Sequence, residues 1–430
     1  MVSQQWRTVV RALVLHPKQP RLLLADPPPE AELPGRVEPD RSQVLLAALR
    51  DRAGLELDVL RSTYGGEDER AHRRDVQLLT VLRGPQPAGS RWVEADRDSA
   101  ELVRLATAPG QRPAQPWLRR DWLPAAASWL ASVLDSAGPV RQHKVSDLSC
   151  VLRTTAATGE VYLKATVNAP LFAPEAAVTV ALNRLFPGQV PVPVGTDPGR
   201  GLLALADFGT ELGWGAPVDV RAGALRRWAR LQRSSVRHVP ELLAAGCRDR
   251  RLGWLAGAVG EWFTVDTLER FTGTDVASRL AAAAPRISAL CAELARAGLP
   301  DTLQHGDLHM SNVTRRPDGD YLFFDWTDAA VGQPFLDLIA VGLEDDPAAR
   351  ALLREAYLSE WPGGVGMLGP LWPLVEVLSA ANQAISYLSL GLFLGTAGMP
   401  SPLFASFTVH WLDTILAALD RLGSPRAPAA

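Results

Sequence analysis

The sequence predicts an α+β fold in which a small α/β unit precedes a strand-rich region and then a large helical region. Three observations carry this expectation. Short apolar runs broken by turn residues fill residues 8–24 and return at 139–206. Beyond residue 215, apolar residues recur at mostly helical spacing to about residue 420. Between the two strand-rich parts, residues 105–125 are rich in Pro, Ala and Gln and read as a linker. A chain of 430 residues exceeds one ordinary core and implies two or three compact units.

The elements follow in order. Residues 8–15 and 21–24 are apolar and are separated by His16-Pro17-Lys18-Gln19-Pro20, which reads as a hairpin. After the loop Asp26-Pro27-Pro28-Pro29, residues 44–52 have helical spacing and stop at Gly54. Residues 76–82 read as a strand, and a helical segment carries Trp122 and Trp129. Strands are expected at 151–153 and 161–165 around the turn Ala157-Thr158-Gly159, a helix at 175–185 and a strand at 202–206. The domain boundaries expected are 1–108, a linker and helix at 109–138, a strand-rich lobe and hinge at 139–212, a helical lobe at 213–422 and a frayed tail at 423–430.

Composition narrows the function classes. Hydrophobic residues make up 47% and charged residues 21%, a soluble globular balance. A formal net charge of -3 gives no basic surface for nucleic acid. Cys150, Cys247 and Cys291 are scattered, so neither a disulfide framework nor a zinc site is expected, and a cytoplasmic setting fits. The start lacks a secretory pattern, and no uninterrupted apolar stretch reads as a membrane span; residues 384–394 read as a buried helix. The basic residues are nearly all Arg. Lys occurs only at Lys18, Lys144 and Lys164, so each invites a reason.

The strongest signal is Gln304-His305-Gly306-Asp307-Leu308-His309-Met310-Ser311-Asn312, followed by Tyr321-Leu322-Phe323-Phe324-Asp325-Trp326. Phosphoryl transfer gathers negative charge and needs a group to orient an acceptor hydroxyl and take its proton, with Mg²⁺ on the phosphates. Asp307 suits the first task. Asn312 and Asp325 offer the hard oxygen atoms that Mg²⁺ prefers. The spacing His-x-Asp-Leu-x-x-x-Asn matches the protein-kinase catalytic loop, with Gly306 where that loop has Arg. His305 and His309 stand four apart, but a zinc pair would need one helical face and a third ligand, and Gly306 argues for a loop.

These residues resemble the aminoglycoside phosphotransferase and choline kinase-like superfamily over about residues 139–420. The resemblance implies a two-lobed, protein-kinase-like fold and transfer of phosphate from ATP or GTP to a small-molecule hydroxyl. It implies Asp307 as catalytic base, Asn312 and Asp325 as magnesium ligands, and Asp337 in the segment Gly332-Gln333-Pro334-Phe335-Leu336-Asp337-Leu338 as structural. Val161-Tyr162-Leu163-Lys164 resembles the strand that supplies the phosphate-binding lysine. Period-two alternation puts Tyr162, Lys164 and Thr166 on one face. Glu175 is the expected ion-pair partner of Lys164. Residues 143–151 lack a GxGxxG pattern, leaving Ser149 and nearby backbone as phosphate donors, or a plain strand connection. Asp207-Phe208-Gly209 precedes the catalytic loop, whereas in kinases that triplet follows it. Leu205 and Ala206 are therefore read as hinge backbone facing the adenine.

Residues 5–105 resemble a Nudix domain through Leu33-Pro34-Gly35 and residues 47–55. A working box is G-x5-E-x7-R-E-U-x-E-E-x-G-U. Aligned on Gly54, Ala47-Ala48 stand at Arg-Glu and Asp51-Arg52 at Glu-Glu, so diphosphate hydrolysis is expected to be lost.

The expected function is that of a small-molecule O-phosphotransferase acting on an antibiotic, sugar or other hydroxylated metabolite. The alternative is a nucleotide-binding regulatory pseudokinase using the Nudix-like part to recognise partners. A protein kinase is disfavoured by Gly306 and by the absence of an Ala-Pro-Glu segment. For the acceptor, Asp328, Glu344, Asp345, Asp346 and Glu376 would suit a polycation, and Trp262, Trp326, Trp361 and Trp372 a flatter or apolar molecule. An uncharged or weakly charged acceptor is expected.

Overall fold

The computed structural model describes residues 5–110, 113–396 and 401–423. Residues 424–430 of the expected tail, Gln111 and Arg112 of the expected linker, and the first four residues lie outside the described residues. The chain divides into two compact units. Unit 1 is Met1–Asn168 with Val194–Asp207, and unit 2 is Ala169–Pro193 with Phe208–Ala430.

Unit 1 begins with a six-stranded sheet of β1 (Arg7–Leu15), β2 (Arg21–Leu24), β3 (Glu30–Pro34), β4 (Leu57–Asp68), β5 (Arg73–Leu82) and β6 (Arg91–Glu94). Their order is β4-β5-β1-β2-β6, with β3 also on β1. The predicted β1–β2 hairpin pairs at Leu15 and Leu22. The longer ladder joins β1 in parallel to β5, from Arg7 opposite Arg73 to Leu15 opposite Val81. That central place suits β1, whose Val9, Val10, Val14 and Leu15 are buried on both faces. β3, β4 and β6 were not anticipated, because each mixes charged residues into too few apolar positions to show a period.

Helix α1 (Ser42–Ala53) ends where predicted. Gly54 adopts a left-handed φ of 65° and donates its N–H to the carbonyl of Arg50. α2 (Ala100–Thr107) and α3 (Trp122–Val133) follow. Between them, Gln115, Trp117 and Leu118 are buried in the stretch read as a linker.

The second sheet of unit 1 holds β7 (Arg141–Val145), β8 (Ser149–Ala156), β9 (Gly159–Thr166), β10 (Pro193–Asp197) and β11 (Leu202–Ala206), in the order β10-β11-β9-β8-β7. In β9, Val161, Leu163 and Ala165 are buried while Tyr162, Lys164 and Thr166 are partly exposed, as the alternation requires.

Unit 2 starts with α4 (Glu175–Leu185) and is otherwise mainly helical. The helices Val218–Ser235, Thr274–Ala295 and Trp372–Thr396 supply much of one continuous apolar core. Embedded in it are a small sheet, β12 (Arg248–Arg250), β13 (Thr302–Gln304) and β16 (Ala330–Gly332), and a hairpin of β14 (Val313–Arg315) with β15 (Tyr321–Phe323). Two helical stretches, Gly364–Thr396 and Pro402–Gly423, are long and apolar enough to cross a membrane. The sequence predicts no membrane span, and residues 384–394, within the first stretch, read there as a buried helix. The apolar window of the first is 72% buried within the fold, as for a core helix, and that of the second 28%.

Candidate active site

The motif residues of unit 2 are gathered by short-range geometry. β14 and β15 pair with Val313 opposite Phe323, and the N–H of Phe324 donates to the carbonyl of Asn312 at 3.1 Å. Asn312 immediately precedes the first strand, and Asp325 follows the second by two residues. The hairpin therefore delivers both to the same end. Leu308, Met310 and Val313 are buried and anchor the loop, while Asp307 keeps 39% of its side chain exposed.

Asn312 ties the loop together. Its Nδ2 donates to the carbonyl of Asp307 at 2.9 Å and to Asp307 Oδ2 at 3.3 Å. That commitment turns the carboxamide oxygen to the opposite side. Asp325 sits in left-handed backbone at φ 68°, a conformation that Asp tolerates better than most residues. Its Oδ1 accepts from Thr327 Oγ1 at 2.9 Å. The N–H of the next residue, Trp326, donates to Oε1 of Glu175 at 3.3 Å, so buried Glu175 braces this turn.

His305 and Asp337 hold the loop from behind. The Asp337 carboxylate accepts the N–H groups of His305 at 2.8 Å and of Gly306 at 2.7 Å. Burial pushes its pKa up to about 7, against the pull of those two donors. His305 is fully buried and donates from Nε2 to the carbonyl of Phe324 at 2.8 Å. Burial drives its pKa down to about 4, which makes it a neutral spacer between the loop and the strand end. On the other side, Gln383 Nε2 donates to the carbonyl of Gly306 at 3.0 Å.

Gly306 is required by this packing. Its φ is 84°, and a Cβ there would lie 2.3 Å from the carbonyl oxygen and 2.6 Å from the Cβ of Asp328. The arginine of the protein-kinase loop has no room. Gly306→Ala is expected to cost about 3 kcal/mol or more of stability, because left-handed strain adds to a backbone overlap. Chemical denaturation of the variant checks this. A loss below about 1 kcal/mol would mean that the loop relaxes freely.

Two neighbours join the motif: His309, weighed in the sequence only as half of a zinc pair, and Trp214, which the sequence does not single out. His309 lies with Nε2 3.4 Å from Asp307 Oδ2. Its Nδ1 accepts the N–H of Ser311 at 3.2 Å, so the neutral ring carries its proton on Nε2, toward Asp307. Burial opposes protonation of this ring. The bond to Asp307 and the charges of Asp307, Asp325 and Glu211 outweigh burial and leave its pKa raised. Exposed Trp214 stacks on His309, with centroids 4.8 Å apart and planes at 18°. Asp328, weighed only as an acceptor contact, has its pKa pushed up to about 7 by burial, then by the charge of Asp307. The signal for His309 is its place within the motif, two residues after Asp307. Trp214 has none.

The remaining candidates lie in unit 1. In register, Ser149 faces Thr166, Val151 faces Lys164, Leu203 faces Lys164 and Leu205 faces Tyr162. Directly paired residues share a face, so Ser149, Lys164 and Leu205 lie on one side of the sheet. Ala206 faces Val161 and lies on the other side. The chain passes from unit 1 to unit 2 between Asp207 and Phe208.

Among the described residues, no group of three or more His, Cys, Asp or Glu side chains is arranged to hold a metal. One carboxylate at Asp325 and one carboxamide oxygen at Asn312 still fit the hard-oxygen preference of Mg²⁺, which commonly completes its shell with phosphate and water.

The chain belongs to the phosphotransferase enzyme family, which matches residues 149–366. Among solved structures it is similar to choline kinase LicA from Streptococcus pneumoniae, at 12% identity and TM-score 0.50, covering 70% of this chain and 99% of that one. It is also similar to an ethanolamine kinase from Plasmodium vivax, at 11% identity and TM-score 0.50, covering 75% and 94%. A macrolide 2'-phosphotransferase from Brachybacterium faecium is similar at 19% identity and TM-score 0.45, covering 71% and 99%. No curated protein matches the chain. With the family match and the two kinases at TM-score 0.50, the fold is α+β and kinase-like, as the sequence predicts.

Proposed function

We propose that this protein transfers the γ-phosphate of ATP or GTP to a hydroxyl group of a small molecule. The observation that carries the reading is the grouping of Asp307, Asn312 and Asp325 around one hairpin end, in a member of a phosphotransferase family. Asp307 accepts the proton of the acceptor hydroxyl as its oxygen bonds to the γ-phosphorus. The bond from that phosphorus to the bridging oxygen breaks, and the nucleoside diphosphate leaves with the electron pair. Asn312 and Asp325 would hold Mg²⁺, which neutralises phosphate charge when bound. The nucleotide side is assigned to Lys164, Glu175, Ser149 and the backbone of Leu205 and Ala206.

An uncharged or weakly charged acceptor, such as a hydroxylated antibiotic or sugar, fits the carboxylates best. Glu344 pairs with Arg221, Asp346 caps the helix Pro347–Leu358, and Glu376 pairs with Arg421. Few carboxylates are then left for a polycation. Trp326, Trp361 and Trp372 are buried in the core and offer no acceptor wall. A cytoplasmic setting is supported by three free, buried cysteines.

The test is nucleotide consumption with Mg²⁺ against pooled hydroxylated antibiotics, sugars and amino alcohols, with Asp307→Ala as the blank. Acceptor-dependent consumption absent from the blank is expected. Nucleotide binding without turnover on any pool would favour the regulatory pseudokinase.

A further inference from the structure

The turn from Lys144 to Ser149 joins β7 to β8 and carries no glycine. A glycine-rich phosphate loop adapts to its ligand by bending. This turn is instead fixed from outside, by the N-terminal part of its own unit.

The first tie is Gln142. β7 and β4 belong to different sheets, yet the buried Gln142 carboxamide pairs with the backbone of Val59 on β4. Its Oε1 accepts the N–H of Val59, and its Nε2 donates to the carbonyl of Val59, both at 2.6 Å. This reproduces with a side chain the two-bond pairing of neighbouring strands. Both strands slip register at that point, β4 between Val59 and Arg61 and β7 between Gln142 and Lys144. Such bulges re-aim side chains and interrupt the ordinary ladder.

The next ties act on the turn itself. The N–H of Val145 donates to the carbonyl of Asp40 at 3.2 Å, and Lys144 Nζ meets Asp40 Oδ2 at 3.0 Å. Fully buried Gln115 donates from Nε2 to the carbonyl of Asp147 at 2.7 Å. Within the turn, Ser146 Oγ accepts the N–H groups of Leu148 at 3.3 Å and Ser149 at 3.0 Å. The salt bridge of Lys144 is half-exposed and adds little by itself, so most of the restraint comes from the two buried glutamines.

We infer that Gln142 and Gln115 are positioning residues that hold the turn 144–149 ready for nucleotide phosphates, so that the N-terminal region is part of the nucleotide site's support. The inference rests on the phosphotransferase reading. A pre-set turn loses less freedom when it binds, which favours affinity without any new contact.

The test uses full-length Gln142→Ala and Gln115→Ala. Val10→Ala serves as a control that removes buried methyl groups from β1, opposite Ala31 and Val76 and away from Val59 and its partner Thr80. Amide exchange in 144–149 is expected to quicken about tenfold in both glutamine variants. Their dissociation constants for Mg²⁺-ATP should rise about five- to tenfold, with kcat at saturating nucleotide within about twofold. Val10→Ala should lower Tm and change neither quantity. If Gln142→Ala does not fold, Gln115→Ala carries the test. Unchanged exchange, or lowered Tm with unchanged nucleotide affinity, overturns the inference alone. A wild-type chain that binds no nucleotide overturns the phosphotransferase reading and this inference with it.

Discussion

Asp307→Ala is expected to lower turnover by about a thousandfold or more while leaving affinity for Mg²⁺-nucleotide within about threefold. The first figure follows from removing a positioned general base, which typically contributes 10²–10⁴-fold, together with its grip on the acceptor hydroxyl. The second follows from the loop's own bonding. Asn312 Nδ2 holds the carbonyl of Asp307 at 2.9 Å, and that backbone bond survives the truncation. The loop also keeps the Asp337 carboxylate on the N–H groups of His305 and Gly306, and Gln383 on the carbonyl of Gly306. The Asn312 oxygen proposed to hold Mg²⁺ therefore stays oriented when Asp307 is cut back. Single-turnover kinetics and nucleotide titration separate the two effects. Near-normal turnover would remove Asp307 from the role of base, whereas parallel loss of nucleotide affinity would show that its side chain supports the loop instead.

Much of this centre was legible because its parts are local. Asp307, Asn312 and Asp325 lie within one loop and one hairpin, so spacing alone suggests their convergence. The braces were harder to read, because each comes from far along the chain. Asp337 could be read as structural, but not that both of its oxygens hold successive N–H groups of the loop. Gln383 lies in a run whose apolar character signals only a core helix. Gly306 could be recognised as a departure from the protein-kinase loop, yet the reason for it, the backbone of Asp328 against its missing Cβ, exists only in three dimensions.

Unit 1 shows the same division. The alternation in β9 predicts its two faces, because period two is imposed by the strand itself. The parallel ladder of β1 with β5 was not visible, since pairing between strands so distant in sequence leaves no local mark. Gln142 read as one polar residue in a strand. Its partner is the backbone of Val59, and any residue type has that backbone.

Asp325→Asn is expected to retain the fold and to lose most of the Mg²⁺ dependence of nucleotide binding, with turnover down about a thousandfold. Asparagine is the informative substitution because position 325 has φ 68°. Asn is tolerated there, whereas alanine adds about 1 kcal/mol of backbone strain that would blur the reading. The change removes one negative charge and leaves an oxygen able to accept from Thr327 Oγ1, as Asp325 Oδ1 does at 2.9 Å. Nucleotide affinity measured with and without Mg²⁺ checks the assignment. In the wild type Mg²⁺ should tighten binding, and in Asp325→Asn that gain should shrink about tenfold, while metal-free affinity stays level or improves as one like charge is lost beside the phosphates. Asp307→Ala should keep the full Mg²⁺ gain. Two carboxylates in one site would thus fail in different ways, one through the acceptor's proton and one through the metal. If both variants lost the Mg²⁺ gain equally, the division of labour between Asp307 and Asp325 would be wrong.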